Sequence, residues 1–145
     1  MDAMRIGREL SAGLVFLLLL GGGPSCAQFH GRGAEVRVVS PVQIVSEPSR
    51  MHTISIEVTN RTNRQERFRE DVILPKGWSM VIPMTSFVLP PQASTARLLS
   101  FQIPINAAEG RAKIEYSVQS DRDPSIRGSM EYEVVVLAVA KTDLM

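Results

Sequence analysis

The chain is poor in the residues that carry chemistry. It holds one cysteine, Cys26, and two histidines, His30 and His52. A zinc site needs three or four converging ligands, so no metal is expected. No Gly-x-Ser-x-Gly turn and no glycine-rich phosphate loop occurs, which removes the usual signatures of a serine nucleophile and a nucleotide cofactor. Asp121, Asp123, Glu131 and Glu133 are close in sequence, but Arg122 separates the aspartates and no Gly-framed loop follows, so a solvated turn is expected rather than a calcium loop. Glycoside hydrolysis needs two carboxylates held about 5–10 Å apart across a cleft, and small sandwiches rarely form one. The net charge is +1, too balanced for a general field toward nucleic acid. Aromatics are scarce. Tyr116 and Tyr132 fall on apolar strand faces, and the single Trp78 follows a turn. All three are expected in the core, which leaves little for an aromatic sugar-binding strip. The chain reads as no enzyme, with no catalytic residue, metal or cofactor.

What is present at the N-terminus sets the expected compartment. Arg5 and Arg8 precede the apolar run Leu14–Leu20, Gly21 to Pro24 break it, and Ser25 and Ala27 are small residues at −3 and −1 of a cut after Ala27. This is the layout of a secretory signal peptide over residues 1–27. The apolar run falls short of the roughly 20 residues of a membrane span, and no later run is long enough, so no span is expected after cleavage. Cys26 offers a lipoprotein alternative, but Gly23 and Pro24 fit a lipobox poorly. The expected destination is the periplasm or the cell exterior. A chain starting at Gln28 has no cysteine, so its stability must come from its core, and about 118 residues suffice for one.

From there the hydrophobic period is close to two. Ile54, Ile56 and Val58 alternate with polar residues. The same period runs through Phe68, Glu70, Val72 and Leu74, then Leu99, Phe101 and Ile103, then Ala112 to Val118, then Met130 to Val136, with Ile73, Leu98 and Val135 the apolar exceptions among the alternate residues. Successive strand side chains point to opposite faces, so each run has a buried and a wetter face. Turn-rich separators stand at 46–49, 60–63, 75–77, 90–92, 106–110 and 121–128. With shorter pieces at 36–45, 79–82 and 86–89, this predicts an all-β, immunoglobulin-like antiparallel β-sandwich of about seven strands. It spans 35–140, after a flexible lead-in at 28–34 and before a tail or linker at 141–145.

Leu74-Pro75-Lys76-Gly77-Trp78, then FVLPPQASTARLLSFQIP at 87–104 and INAAEGRAKIEYSV at 105–118, resembles the NPCBM-associated (alpha-galactosidase-associated) Ig-like domain family, with HTISIEVTNRTNRQERF at 52–68 fitting its early strand. The likeness covers roughly 35–137. It implies an accessory or spacer module without catalytic residues. VRVVSPVQIV at 36–45, SRMHTISIEVTN at 49–60 and the run at 87–104 more weakly resemble the N-terminal domain of periplasmic pilus chaperones, which implies a component of a fimbrial or other surface-fibre assembly system. The chain departs from chaperones in having one such domain rather than two. The expected partner under either reading is an exported protein or a larger envelope protein, with carbohydrate as a further option.

Two stretches are candidate contact sites. Arg61, Arg64, Arg67 and Arg69 share the most charged stretch, 61–71. It reads as a solvated edge protected by charge, or as an arginine-bearing surface for a carboxylate or a partner loop. Val134 to Ala140 is continuously apolar. It reads as a central last strand, or as an unguarded edge where Val135 and Leu137 meet a partner strand. Asn60-Arg61-Thr62 matches the N-glycosylation pattern, which matters only in a eukaryotic secretory pathway.

Overall fold

A computed structural model describes residues 29–139, with side chains from Gly31 onward. The signal segment 1–27, Cys26, the His30 side chain and the tail 141–145 lie outside the described residues. Ten strands are present among them: β1 (Phe29–Arg32), β2 (Ala34–Ser40), β3 (Ile44–Ser46), β4 (Met51–Asn60), β5 (Glu66–Ile73), β6 (Ser79–Met80), β7 (Phe87–Leu89), β8 (Ser94–Gln102), β9 (Gly110–Ser120) and β10 (Arg127–Val136). They form two packed sheets, an immunoglobulin-like all-β sandwich as the alternation predicts. One sheet runs β1-β10-β9-β5-β7 with β3 also on β10, and the other runs β2-β4-β8-β6.

The period of two is what builds the interior. Ile54, Ile56 and Val58 from β4, Leu99 and Phe101 from β8, Phe68 from β5, Ile114, Tyr116 and Val118 from β9, and Met130, Tyr132, Val134 and Val136 from β10 are all buried in one cluster. Both tyrosines are core residues. Tyr116 Oη donates to Glu70 Oε1 at 2.6 Å, and Tyr132 Oη to the Pro41 carbonyl at 2.8 Å. Trp78 is only half-buried. It stacks on Phe101 at 5.6 Å between ring centroids and 19° between planes, so it closes one end of the core rather than standing inside it.

The N-terminal third differs from the sequence reading. Phe29 to Arg32 is not a lead-in but a strand, antiparallel to β10 from Arg127 to Met130. Gly33, at φ 78°, then turns the chain from one sheet to the other, a conformation glycine adopts without a Cβ penalty. The stretch 36–45 is not one strand. β2 pairs with β4 in one sheet, and after Pro41 the chain returns to the other as β3, parallel to Val134–Val136. One far edge of β10 is thus shared by two short strands. Gly31 and Gly128 stand opposite each other at this crossing. A Cβ on them would stand 2.6 and 2.8 Å from the Ala34 carbonyl oxygen, closer than packed atoms approach, so only glycine fits at either.

Candidate functional site

The charged stretch 61–71 is not a solvated edge over its length. β5 lies between β9 and β7, paired to β9 from Phe68 to Ile73 and to β7 from Glu66 to Phe68. Its even-numbered residues face the sandwich interior, which carries Glu66 and Glu70 inward beside Phe68. Their side chains are 1% and 2% exposed. Period two had already put Glu70 on the Phe68/Val72 face; a carboxylate at such a position signals a buried partner.

Each carboxylate has one. Arg97 of β8 reaches Glu70 through Nε (2.7 Å) and Nη2 (2.9 Å). Tyr116 Oη donates to the same carboxylate, and so does the Thr85 amide at 3.2 Å. The Arg97 guanidinium also lies 4.5 Å over the Phe87 ring. Burial pushes the Glu70 carboxyl up, but hydrogen bonds from Arg97 and Tyr116 and the Arg97 charge outweigh it and hold it below the ordinary carboxylate range. Tyr116 is pushed up by burial first and then by Glu70, so it stays a neutral donor. Glu66 accepts from Ser120 Oγ at 2.7 Å and from Arg122 Nη2, with Arg64 Nε at 3.3 Å. Burial again raises its carboxyl, and Ser120, Arg122 and Arg64 together bring it below the ordinary range. Both carboxylates are therefore ionised and hydrogen-bonded at neutral pH; Glu70 ties β5 to β8 of the opposite sheet, and Glu66 ties β5 to the end of β9 within its own sheet.

Asn60 is a third buried organiser. It is fully buried, and its Nδ2 donates to the carbonyls of Arg64 (2.9 Å), Leu89 and Pro90 (both 3.1 Å). Its Oδ1 accepts from the Thr62 amide and hydroxyl. Nδ2 is the atom a glycan would need, so the pattern at 60–62 acts as a turn lock, not as a glycan acceptor in the folded chain.

The four candidate arginines do not converge. Arg61 pairs with Glu35 through Nε at 2.8 Å. Arg64 serves Glu66. Arg67 pairs with Asp121 at 3.4 Å. Arg69 faces outward on β5, and no carboxylate among the described residues lies within ion-pair distance of it. The register instead brings Arg69 into line with residues the sequence did not single out. Arg69 pairs with Gln119, Gln119 with Arg127, and Arg127 with Arg32. Arg69, Gln119 and Arg127 project from the outer face, because their chain neighbours Phe68, Glu70, Val118, Ser120, Ile126 and Gly128 are buried, and Arg32, exposed and in register with Arg127, shares that face. Arg127 and Arg32 likewise have no carboxylate partner among the described residues. The row crosses four strands beside a depression of about 480 Å³ whose rim includes Arg32, Arg127, Gln119, Ser117 and Ser129. No signal in the linear chain marks it, since Arg32, Arg69 and Arg127 are far apart in sequence.

The apolar run 134–140 is a central strand where it is described, not an unguarded edge. Val135 pairs with Arg111 on one side and Val45 on the other, and the Leu137 amide donates to the Ser46 carbonyl at 2.8 Å. Its backbone is used, because β3 returns to cover it. What Val135 and Leu137 present is outward side chain, with Leu137 45% exposed. An open backbone edge lies elsewhere. β6 reaches only Gln102 and Phe101 of β8, and the Val81 amide takes the Ser100 carbonyl at 2.9 Å. Backbone groups alternate sides along an antiparallel strand, so those of Leu98, Ala96 and Ser94 face the same way as Ser100, and no strand pairs with them among the described residues.

No family model and no curated protein matches the sequence. Solved structures do match the fold. A FixG-related protein from Vibrio parahaemolyticus superposes with a TM-score of 0.58 at 12% identity, over 72% of this chain and 97% of that one. Salmonella alpha-2-macroglobulin matches at 0.59 and 11% identity, over 73% of this chain but 7% of its own length. An Escherichia coli alpha-2-macroglobulin fragment, from domain MG7 to the C-terminus, matches at 0.54 and 14% identity, over 79% of this chain and 17% of the fragment. The chain is thus similar to a whole small β-sandwich and to a minor part of much larger proteins.

Proposed function

We propose that this chain is an exported, non-catalytic interaction or spacer module of the cell envelope or exterior. The observation that carries the reading is the state of the interior polar groups. Glu66 and Glu70, the two carboxylates sequestered in the sandwich, are each clamped ionised by arginines. A general acid or base needs a pKa near the working pH, and these are driven away from it. Binding through strand edges and outer faces is the use that such a sandwich supports. The signal layout of residues 1–27 supports export, and the likeness of 74–118 to NPCBM-associated domains supports an accessory role.

A second reading is an assembly factor for surface fibres. The open edge of β8 favours it, since an extended segment can add there through main-chain hydrogen bonds. The two readings share export and differ at that edge. Expressed in a bacterial host, the full chain should appear in the periplasmic fraction with an intact mass beginning at Gln28. A cytoplasmic product retaining Met1 refutes the export on which both rest, and a lipid-modified mass at Cys26 replaces the soluble form with a lipoprotein. Ala96→Pro removes one edge N–H. If co-expressed exported fibre subunits are held by the parent and released by this variant, the assembly reading replaces the module.

A further inference from the structure

The row Arg32–Arg127–Gln119–Arg69 is assembled against electrostatics. Arg32 and Arg127 stand directly opposite each other, and like charges so placed destabilise a strand pair. Farther along the same outer face the cations of β9 are paired: Arg111 with Glu133 at 3.7 Å and Lys113 with Glu131 at 3.2 Å, each on the diagonal between β9 and β10. Arg32, Arg127 and Arg69, three guanidinium groups with no carboxylate partner among the described residues, mark a place at this end of the face for an external anion.

The spacing narrows the ligand. Neighbouring strands lie about 4.8 Å apart, so Arg127 and Arg69, two strands apart, are separated by roughly 10 Å. Arginine recognises a carboxylate bidentately. Two carboxylates about 10 Å apart on one peptide are not neighbours on a β-strand, where i and i+2 are about 7 Å apart. In a polyproline II segment three residues make one turn at about 3.1 Å each, so residues i and i+3 share a face about 9 Å apart. Gln119 lies between the two arginines with a side-chain amide that has no partner among the described residues. Polyproline II leaves its carbonyls without internal hydrogen bonds, free to accept from that amide, whereas a helix consumes its own. A long polyanion fits less well, because Asp71, Glu115 and Glu131 occupy the adjoining rows of this face and the chain as a whole is nearly neutral.

We propose that this row binds a peptide segment in polyproline II conformation bearing two carboxylates three residues apart, with Arg127 and Arg69 each taking one, Gln119 the backbone between them, and Arg32 adding charge beside Arg127. This site is separate from the β8 edge and independent of export.

Fluorescence anisotropy of the full chain with a labelled Gly-Glu-Pro-Pro-Glu-Gly peptide tests it. Binding should weaken with added salt. Arg127→Gln and Arg69→Gln should each reduce affinity about tenfold or more, the scale of one charge-assisted contact. Arg111→Gln, outside the row, should leave it within about twofold. Both row positions are exposed, and removing Arg127 relieves repulsion from Arg32, so these variants should fold; circular dichroism confirms that. A peptide with Glu at i and i+2, or with both Glu replaced by Gln, should bind at least severalfold more weakly. No binding at low salt, equal binding of the i,i+2 peptide, indifference to Arg127→Gln, or capture by phosphatidylglycerol vesicles or inorganic phosphate in preference to the peptide each overturns the proposal.

Discussion

Arg97→Met should unfold the protein more easily at pH 7, and the reason lies in what it strands. The change deletes two hydrogen bonds, of 2.7 and 2.9 Å, to a carboxylate whose side chain is 2% exposed. Glu70 keeps Tyr116 and the Thr85 amide but loses its counter-charge. Removing one partner of a buried pair costs about 3–5 kcal/mol; Arg97 itself is 25% exposed, so a value near the lower end, about 3 kcal/mol, is expected. The penalty has a pH signature. Without Arg97 the burial that raises the Glu70 carboxyl is opposed by less, so the variant's Glu70 takes up a proton more readily than its unfolded form. A carboxyl raised in this way costs stability as pH rises, so the gap between parent and variant should narrow from pH 7 to pH 4.5. Glu70→Gln in addition removes the stranded charge and keeps an acceptor for Tyr116. The double variant should recover more than about 1 kcal/mol relative to Arg97→Met, since replacing both charges is far cheaper than breaking the pair. Urea unfolding followed by Trp78 fluorescence reads all three. A loss below about 1 kcal/mol, the range of an exposed ion pair, or no recovery in the double variant refutes the view of Glu70 as a buried, clamped charge.

Three further outcomes follow from the same geometry. Asn60→Ala should cost about 2–4 kcal/mol in urea unfolding, because three backbone carbonyls lose their common donor at a buried site, and the folded protein made in a eukaryotic secretory host should carry no glycan mass at Asn60. The His52 ring, hydrogen-bonded to Ser46 at 2.6 Å, is held below its ordinary value of 6.5 by burial and then by Arg50. Stability from its neutral form is complete above pH 6.5 and is lost as pH falls through the folded value, so His52→Gln should flatten the fall in stability just below pH 6.5, while the loss at lower pH from protonating Glu66 and Glu70 remains. Trp78→Ala should cost about 2 kcal/mol rather than the 3–5 of a fully buried ring, with a native emission that shifts red on unfolding.

Strand identity was readable in the linear chain because a half-buried strand repeats every two residues, and that repeat survives any arrangement of the sheets. It placed Tyr116, Tyr132, Phe101 and Ile114 in the core, and it put Glu70 on a core-facing position. Pairing is a different matter. Which strand lies beside which depends on packing between distant segments. Hence Val135, in an apolar run that ends near the tail, turned out to be covered by Val45, and Phe29–Arg32 became a strand because β10 offered it an edge. The buried clamps needed Arg97 to meet Glu70 across the sandwich and Arg122 to meet Glu66 from the neighbouring strand's end, contacts that no local pattern encodes. The arginine row is the extreme case. Residues 32, 69 and 127 share nothing in sequence, and only the order β1-β10-β9-β5 and its register line them up. The chain alone determined an all-β sandwich with an apolar interior, since alternation and turn chemistry act locally. The tertiary structure decided where charge is buried, which edge is open and where cations gather, because each depends on a register between strands that the sequence leaves far apart.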